Sequence, residues 1–274
     1  MDQAIGVIDS GVGGLTVAQE LMRQLPKERL IYLGDTKRCP YGPRTKEEVQ
    51  KFTWEMVDFL MNKEIKTLVV ACNTATAFTL PILREKLDIP VIGVIKPGAR
   101  AAIKSTQNRH IGVIGTEGTI RSHAYENALK RLHTDIHVNS LACPALVPMV
   151  EQGVFSGEHA KKVVTQTLAE MKTNNHIDTL ILGCTHYPLI KETIQEVIGD
   201  HVTIVSSSEE TARETSTILD VHDLLYKGEK SPHHEFYMTG DLEMFTNISK
   251  QIFQDSVDLR YDLVDLENLH HYPF

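Results

Sequence analysis

Two cysteines stand in similar sequence contexts and are the first candidates for chemistry. Cys72 lies in the segment Leu-Val-Val-Ala-Cys-Asn-Thr-Ala-Thr (residues 68–76), and Cys184 lies in Leu-Ile-Leu-Gly-Cys-Thr-His-Tyr-Pro (residues 180–188). Each segment is typical of a short apolar strand that ends in a thiol, followed by polar residues that open a helix. A thiol at such a junction lies where backbone N–H groups and the helix dipole favour negative charge. Two of them in equivalent places predict a pair of acid/base groups that face one another.

A second repeat supports this pairing. Residues 5–8 and 111–114 have the same sequence, Ile-Gly-Val-Ile, and each leads into a turn that contains glycine and hydroxyl residues. The two tetrapeptides and the two cysteines are separated by nearly the same offset along the chain. Such a recurrence indicates one architecture that is used twice, with a small insertion between the copies.

Apolar runs of strand length alternate with segments of helical period along most of the chain. The predicted strands are residues 4–9, 30–33, 67–71, 90–95, 110–114, 136–141, 179–182 and 202–205. The predicted helices include residues 15–25, 46–62, 119–132, 159–172 and 190–198. Strands rich in valine and isoleucine that alternate with helices predict parallel sheets covered by helices on both faces. We therefore expect an α/β fold of two pseudo-symmetric, doubly wound domains with mainly parallel sheets and the active site in the cleft between them.

Residues 95–99, Ile-Lys-Pro-Gly-Ala, form the predicted boundary between the two repeats. A late strand-helix-strand pattern at residues 235–263 has no counterpart in the second repeat, so we expect it to return to the first domain. The predicted domains are residues 1–96 plus 208–265, and residues 97–207, followed by a tail at 266–274.

Composition restricts the class of protein. The chain has 274 residues and a formal net charge of −8, which disfavours nucleic acid as a partner. No apolar run approaches the roughly 20 residues that span a bilayer, and the first residues lead directly into a predicted strand. We expect a cytoplasmic protein. The four cysteines have no C-x-x-C spacing and the histidines are scattered, which argues against a disulfide framework or a metal site.

The proposed chemistry is proton transfer at carbon. Only a few per cent of a free cysteine is thiolate at neutral pH, so a nearby base or a helix N-terminus must assist. Asp9, at the end of the first strand, and His186, two residues after Cys184, are the candidates. One thiolate removes a hydrogen from a substrate carbon while the opposite thiol delivers a proton to the other face, which inverts the centre.

An anionic substrate can be held by neutral donors near these thiols. The candidates are Ser10, Asn73, Thr74, Thr76, Thr116, Thr119 and Thr185. Cys39 and Cys143 fit a packing role better than a functional one, because isolated cysteines are usually buried. The glycines at 11, 13 and 14 allow a dinucleotide-binding turn as an alternative, although the full fingerprint spacing is absent.

Four motifs together carry a resemblance to a known family. They are Asp-Ser-Gly-Val-Gly-Gly-Leu-Thr (9–16), Pro-Tyr-Gly (40–42), Ala-Cys-Asn-Thr-Ala-Thr (71–76) and Gly-Cys-Thr-His-Tyr-Pro (183–188). From about residue 4 to about residue 260, the chain resembles the cofactor-independent glutamate racemases. This resemblance implies interconversion of L-glutamate and D-glutamate for peptidoglycan synthesis without pyridoxal phosphate, metal or nucleotide, in an enzyme that forms homodimers.

The resemblance also implies roles for individual residues. Cys72 would take the proton from D-glutamate and Cys184 the proton from L-glutamate, assisted by Asp9 and His186, with Glu151 near the second cysteine. The residues expected to bind the substrate are Asp9, Ser10, Tyr41, Gly42, Asn73, Thr74, Thr76, Thr185 and His186.

Three alternatives stay open at this point. An aspartate racemase would use a similar cysteine pair. A nucleotide-binding oxidoreductase would use the glycine turn and would not depend on Cys184. A non-enzymatic binding protein would hold glutamate in the same cleft without exchanging its α-hydrogen.

Overall fold

A computed structural model describes residues 2–173, 176–253 and 259–266 of the chain. The strands are β1 (Ala4–Asp9), β2 (Leu30–Gly34), β3 (Ile65–Val70), β4 (Val91–Gly93), β5 (His110–Gly115), β6 (His137–Ala142), β7 (Thr179–Gly183), β8 (Thr203–Ser206), β9 (His234–Met238) and β10 (Leu259–Leu263). The helices are α1 (Leu15–Gln24), α2 (Lys46–Met61), α3 (Asn73–Lys86), α4 (Ile95–Ser105), α5 (Glu117–Arg121), α6 (Ala124–Leu132), α7 (Leu146–Glu151), α8 (Gly157–Thr167), α9 (Ala169–Thr173), α10 (Lys191–Ile198), α11 (Ser207–Val221) and α12 (Leu242–Phe253). A 3₁₀ turn, Tyr187–Ile190, precedes α10.

The strands form two sheets with the same central order. The first sheet runs β10-β9-β2-β1-β3-β4 and the second runs β6-β5-β7-β8, and the pairings between the described strands are parallel. β1, β2, β3 and β4 therefore correspond to β5, β6, β7 and β8. This confirms the predicted α/β fold of two related units. The order reverses direction next to β1 in the first sheet and next to β5 in the second, which is where parallel sheets place their ligand sites.

Two residues close to each other in the sequence stabilise the start of α2. Thr45 accepts a hydrogen bond at its Oγ1 from the backbone N–H of Glu48 over 3.2 Å, and the Glu48 carboxylate accepts one from the Thr45 N–H over 2.9 Å. This reciprocal pair satisfies two N–H groups that have no partner inside the helix.

β9 and β10 extend the first sheet beyond β2, so the late strand-helix-strand segment does return to the first unit. The domain limits at 96/97 and 207/208 stay a prediction. The segment 267–274 of the predicted tail lies outside the described residues.

The predicted boundary segment, residues 95–99, forms the first part of α4. Pro97 is accepted there because it lies in the first turn, where a helix needs no N–H donor. Gly98 packs there so closely that a Cβ would lie 3.1 Å from the Cβ of Ser207. The single helix expected at 119–132 is interrupted, because His123 adopts a left-handed conformation with φ of 53° between α5 and α6.

The helices of the described ranges include none whose length and apolarity together would let it cross a lipid bilayer.

Candidate active site

Cys72 lies at the junction between β3 and α3, as the sequence predicts. It is the N-cap of α3, and its Sγ accepts a hydrogen bond from the backbone N–H of Ala75 over 3.4 Å. The thiol is thus aimed at the positive end of the helix dipole, where a thiolate is stabilised.

Cys184 has a different local environment. It follows β7, but a turn and the 3₁₀ segment Tyr187–Ile190 separate it from α10, so its thiol caps no α-helix. Its Sγ lies 3.6 Å from Nδ1 of His186 instead. The two thiols occupy equivalent strand ends with unlike partners: a helix start for Cys72 and an imidazole for Cys184.

Both thiols line one cavity between the two sheets. The lining consists of Ser10, Pro40, Tyr41, Gly42, Cys72, Asn73, Thr74, Thr116, Val147, Cys184, Thr185 and His186. The cavity has a volume of about 10 Å³, which is room for about one water molecule. The structure therefore brings together most of the residues expected to bind substrate, in a closed arrangement.

Thr76 and Asp9 do not line this cavity. The Thr76 hydroxyl donates a hydrogen bond to the carbonyl oxygen of Val70 over 2.9 Å, which turns it back toward the end of β3. The predicted role of Thr76 in substrate binding therefore has no support in this geometry. Asp9 is joined to the lining by Thr185, whose hydroxyl donates to the Asp9 Oδ1 over 3.1 Å.

Asp9 is a fully buried carboxyl group with few donors. Besides Thr185, the backbone N–H of Gly11 donates to its Oδ2 over 3.0 Å. Burial raises the pKa of Asp9 to about 6, against the lowering effects of the His186 charge and of these hydrogen bonds. Asp9 can therefore exchange a proton near neutral pH.

Burial also acts on Cys72. It raises the pKa of the Cys72 thiol to about 12, and the negative charge of Asp9 adds to this effect, while hydrogen bonds from Ser10 and from the Ala75 N–H oppose it. The negative charge of Asp9 therefore disfavours the Cys72 thiolate, whereas the sequence predicts that Asp9 promotes it. Asp9 could assist only by accepting a proton.

His186 and Glu151 form a buried pair behind Cys184. His186 Nε2 lies 2.5 Å from Glu151 Oε1. Burial by itself would lower the pKa of His186, but hydrogen bonds with Cys184, Cys39 and Glu151 outweigh it and hold the pKa well above the ordinary value. An imidazolium at this position places a positive charge beside the Cys184 sulfur.

Glu151 joins the second unit to the glycine turn of the first. Its Oε1 accepts hydrogen bonds from the backbone N–H of Val12 over 3.1 Å and from the Cys39 thiol over 3.5 Å. Burial would raise the pKa of Glu151, but the bond with His186 and these two donors lower it below the ordinary value. Glu151 is therefore held as a carboxylate that orients His186.

Asn73 is oriented by a residue that the sequence did not indicate. The buried Tyr125 hydroxyl donates to the Asn73 Oδ1 over 2.7 Å. The Nδ2 group of Asn73 is buried and has no hydrogen-bond partner among the described residues, although Asn73 lines the cavity. A buried donor without an acceptor is costly, so the site is suited to a ligand that supplies an oxygen.

Three hydroxyl groups meet on another part of the wall. Thr74 Oγ1 lies 2.7 Å from Thr116 Oγ1 and 3.1 Å from Thr119 Oγ1. Thr74 belongs to the first unit and the other two to the second, so the cluster forms only when the units are closed on each other. It supplies neutral donors, as the sequence predicts.

The glycine turn after β1 packs tightly against the second unit. A Cβ on Gly13 would lie 2.5 Å from His186 Nδ1 and 2.6 Å from Thr185 Oγ1. The backbone of the turn is therefore covered by these side chains, and a dinucleotide phosphate would have to displace them. This argues against the dinucleotide alternative.

Sequence reasoning missed two features of the site. Tyr125 lies in an ordinary helical segment without a motif, and only the packing of α6 against α4 and the start of α3 brings its hydroxyl to Asn73. The sequence favours a packing role for Cys39, but its thiol lies beside Glu151. For Cys143, a packing role is consistent with the structure, because this residue is fully buried in the core of the second unit.

Comparison with known proteins identifies related chains. Residues 5–215 match the family model described as Asp/Glu/Hydantoin racemase. The chain is 70% identical over 256 residues to the glutamate racemase of Oceanobacillus iheyensis, an alignment that covers 93% of each chain. It is similar to the crystal structure of glutamate racemase isoform RacE1 from Bacillus anthracis, with 53% identity, a TM-score of 0.92 and coverage of 96% of this chain and 98% of that one. The glutamate racemase of Francisella tularensis, crystallised in complex with D-glutamate, has 35% identity and a TM-score of 0.89 over 98% of this chain and 99% of that one.

Proposed function

The chain belongs to the Asp/Glu/hydantoin racemase family, and on that premise we propose that it interconverts L-glutamate and D-glutamate. The observation that carries the proposal is the single cavity lined by Cys72 and Cys184, each at the end of the equivalent strand in its sheet. The named relatives at 53–70% identity are glutamate racemases, which favours glutamate over aspartate.

In the proposed reaction, the two thiols act on opposite faces of the α-carbon. With D-glutamate, the Cys72 thiolate takes the α-hydrogen as a proton while the Cys184 thiol donates its proton to the other face. The product is L-glutamate, and the two sulfurs have exchanged protonation states. The reverse reaction begins with Cys184 as the thiolate.

The substrate itself can supply the charge that Cys72 lacks. The burial and the Asp9 charge that raise the pKa of Cys72 act against a thiolate in the closed cavity. The α-ammonium group of a bound amino acid brings a positive charge next to the sulfur, which favours the thiolate. Asp9, with a pKa of about 6, can accept a proton from this region at neutral pH.

At the second thiol, the protein supplies the charge. His186 lies between Cys184 and Glu151, and its hydrogen bonds with Cys184, Cys39 and Glu151 hold its pKa well above the ordinary value and so favour the imidazolium. The imidazolium stabilises the Cys184 thiolate, so each thiol has its own means of activation. The substrate carboxylates would accept hydrogen bonds from Asn73 Nδ2, Ser10 and the hydroxyl cluster around Thr74.

Substrate entry requires the two units to separate. Glutamate is several times larger than a water molecule, and the closed cavity holds about one. Separation would break the hydrogen bonds that cross between the units, such as Thr74 to Thr116 and Tyr125 to Asn73. Closure of the units around the substrate would then exclude water from the reacting carbon.

We further propose that the reaction takes place in the cytoplasm, uses no cofactor and supplies D-glutamate for peptidoglycan. The predicted homodimer is part of this proposal, and light scattering on the purified protein tests it. The limits of the two domains at residues 96/97 and 207/208 are likewise proposed from the two sheets.

Exchange of the α-hydrogen in heavy water tests the function. Each enantiomer of glutamate and aspartate is incubated separately with the protein, and deuterium at the α-carbon and the enantiomeric ratio are measured. We expect both glutamate enantiomers to gain deuterium and to converge to a racemate, while aspartate stays unlabelled. Labelling of aspartate in place of glutamate would identify an aspartate racemase, and binding of glutamate without labelling would identify a binding protein.

A further inference from the structure

A sulfur, an imidazole nitrogen and a carboxylate oxygen meet behind the cavity wall. Cys39 Sγ, His186 and Glu151 offer ligand atoms that all lie within 4.8 Å of one another, and no other such group occurs in the part of the chain that the structure describes. We propose that these three residues form a binding site for Zn²⁺ or a similar transition-metal cation, and that its occupation stops racemisation. The second half of this inference rests on the proposed function.

The types of donor suit this ion. Zn²⁺ binds thiolate sulfur, imidazole nitrogen and carboxylate oxygen, and sites with three protein ligands keep a fourth position for water. The three donors come from separate segments: Cys39 follows β2, Glu151 ends α7 and His186 follows β7. They are therefore held by the fold and not by a flexible loop of adjacent residues.

One distance between two of the donor atoms matches the ligand–ligand distance in a tetrahedral Zn²⁺ site. With Zn–S of about 2.3 Å and Zn–O of about 2.0 Å, the sulfur and oxygen of a tetrahedron lie about 3.5 Å apart. The distance between Cys39 Sγ and Glu151 Oε1 is 3.5 Å. His186 Nε2 and Glu151 Oε1 are 2.5 Å apart, and they would have to separate by about 0.8 Å to reach the corresponding nitrogen–oxygen edge.

The ion would take the place of protons. Three bonds form, from the metal to sulfur, nitrogen and oxygen, and the Cys39 thiol proton and the proton on His186 Nε2 are released to water. Gly11 faces the group without a side chain, because a Cβ there would lie 3.0 Å from Cys39 Sγ and closer still to Glu151 Oε1. Gly11 therefore places no side chain on this side of the three donor atoms.

Occupation would prevent His186 from assisting Cys184. A metal on Nε2 leaves the neutral imidazole with its proton on Nδ1, which lies 3.6 Å from the Cys184 sulfur. Because the ion would fix the ring and would separate His186 from Glu151 by about 0.8 Å, Nδ1 would no longer keep its position beside the Cys184 sulfur. Proton transfer at the second face of the substrate would stop while Cys72 remains intact.

The variant Cys39→Ser separates this site from the two reacting thiols. Serine can still donate to Glu151 but is a poor ligand for Zn²⁺. Cys143→Ser is the matched control, because Cys143 is a buried thiol outside the cluster. Racemisation is measured against Zn²⁺ concentration for each protein and is expressed relative to its own metal-free rate.

We expect Zn²⁺ to inhibit the unaltered protein and Cys143→Ser at the same concentration, and the half-inhibiting concentration for Cys39→Ser to be at least about tenfold higher. Titration with Co²⁺ should give one thiolate-to-cobalt absorption band per chain, which Cys39→Ser loses. Equal inhibition of Cys39→Ser would show that the ion acts on Cys72 or Cys184. A cobalt band without inhibition of any protein would show that an occupied site does not stop racemisation, and the absence of both would show that there is no such site. Each of these results overturns the inference. Since the cobalt band is read without substrate, a chain that binds Co²⁺ through Cys39 but does not racemise glutamate would refute the proposed function and leave the metal site standing.

Discussion

The contact between Tyr125 and Asn73 gives the most specific prediction about substrate binding. The Tyr125 hydroxyl is buried, donates to the Asn73 Oδ1 over 2.7 Å and is also hydrogen-bonded to Ser207. Tyr125→Phe removes this donor and leaves the Asn73 oxygen buried without a partner. The amide is then no longer held with its Nδ2 available to a substrate oxygen, so Tyr125 acts as a positioning residue.

The size of the effect follows from the hydrogen bond. A buried polar group that loses its partner costs about 1–3 kcal/mol, which corresponds to roughly 5- to 150-fold in an equilibrium constant. Asn73 is proposed to hold the substrate in the ground state and the transition state alike. The loss should therefore raise KM by this factor and change kcat much less.

The assay is steady-state racemisation from each enantiomer, with thermal unfolding measured in parallel. Tyr187→Phe is the matched control, because the buried Tyr187 hydroxyl donates to the backbone carbonyl of Cys143 over 3.1 Å and not to Asn73. It should lose similar stability and keep its KM. A KM for Tyr125→Phe equal to that of the unaltered protein, or an equal rise in both variants, would refute the reasoning.

Two further predictions concern the proton-transfer groups. Because burial raises the pKa of Asp9 from 3.8 to about 6, the folded state holds this proton more tightly than the unfolded state; the resulting stability is present at acid pH and is lost as pH rises from about 4 to above 6. Relative to Asp9→Asn, the unaltered protein should thus lose about 3 kcal/mol of unfolding free energy across that interval in urea titrations, and parallel curves for the two proteins would contradict the burial argument. Cys72→Ser and Cys184→Ser should each lower kcat/KM by roughly 10²- to 10⁴-fold, since a hydroxyl is too weakly acidic to replace the thiol. The loss must be equal from L-glutamate and from D-glutamate because their equilibrium constant is one, and near-normal turnover of either folded variant would contradict the two-thiol assignment.

The architecture and the positions of the two reacting thiols could be predicted from local sequence. The two Ile-Gly-Val-Ile segments became β1 and β5, and the two cysteines followed β3 and β7, because apolar runs of this length form buried parallel strands. The carboxyl ends of such strands meet at one edge of a sheet, so residues there could be assigned to a site without knowing the packing. At residues 97 and 98, proline and glycine interrupt the helical pattern in the sequence, yet both are accepted in the first part of α4.

The direction of individual side chains could not be predicted in this way. Thr76 follows Cys72 by one helical turn and looked equally available, but its hydroxyl turns back to Val70. The sequence suggests Asp9 as a helper of Cys72, but burial of the thiol and the negative charge of Asp9 both oppose the thiolate. Both outcomes depend on which atoms surround the group, and the residue type does not contain that information.

The sequence by itself determined the duplicated α/β plan, the two thiols at equivalent strand ends and the supply of neutral donors around them, because each of these follows from local periodicity and chain order. Only the tertiary structure decided that Tyr125 orients Asn73, that Cys39 and Glu151 gather around His186, and that the two thiols are activated differently. These features arise from contacts between residues far apart in the chain, and their energies depend on burial and distance once the two units close on each other.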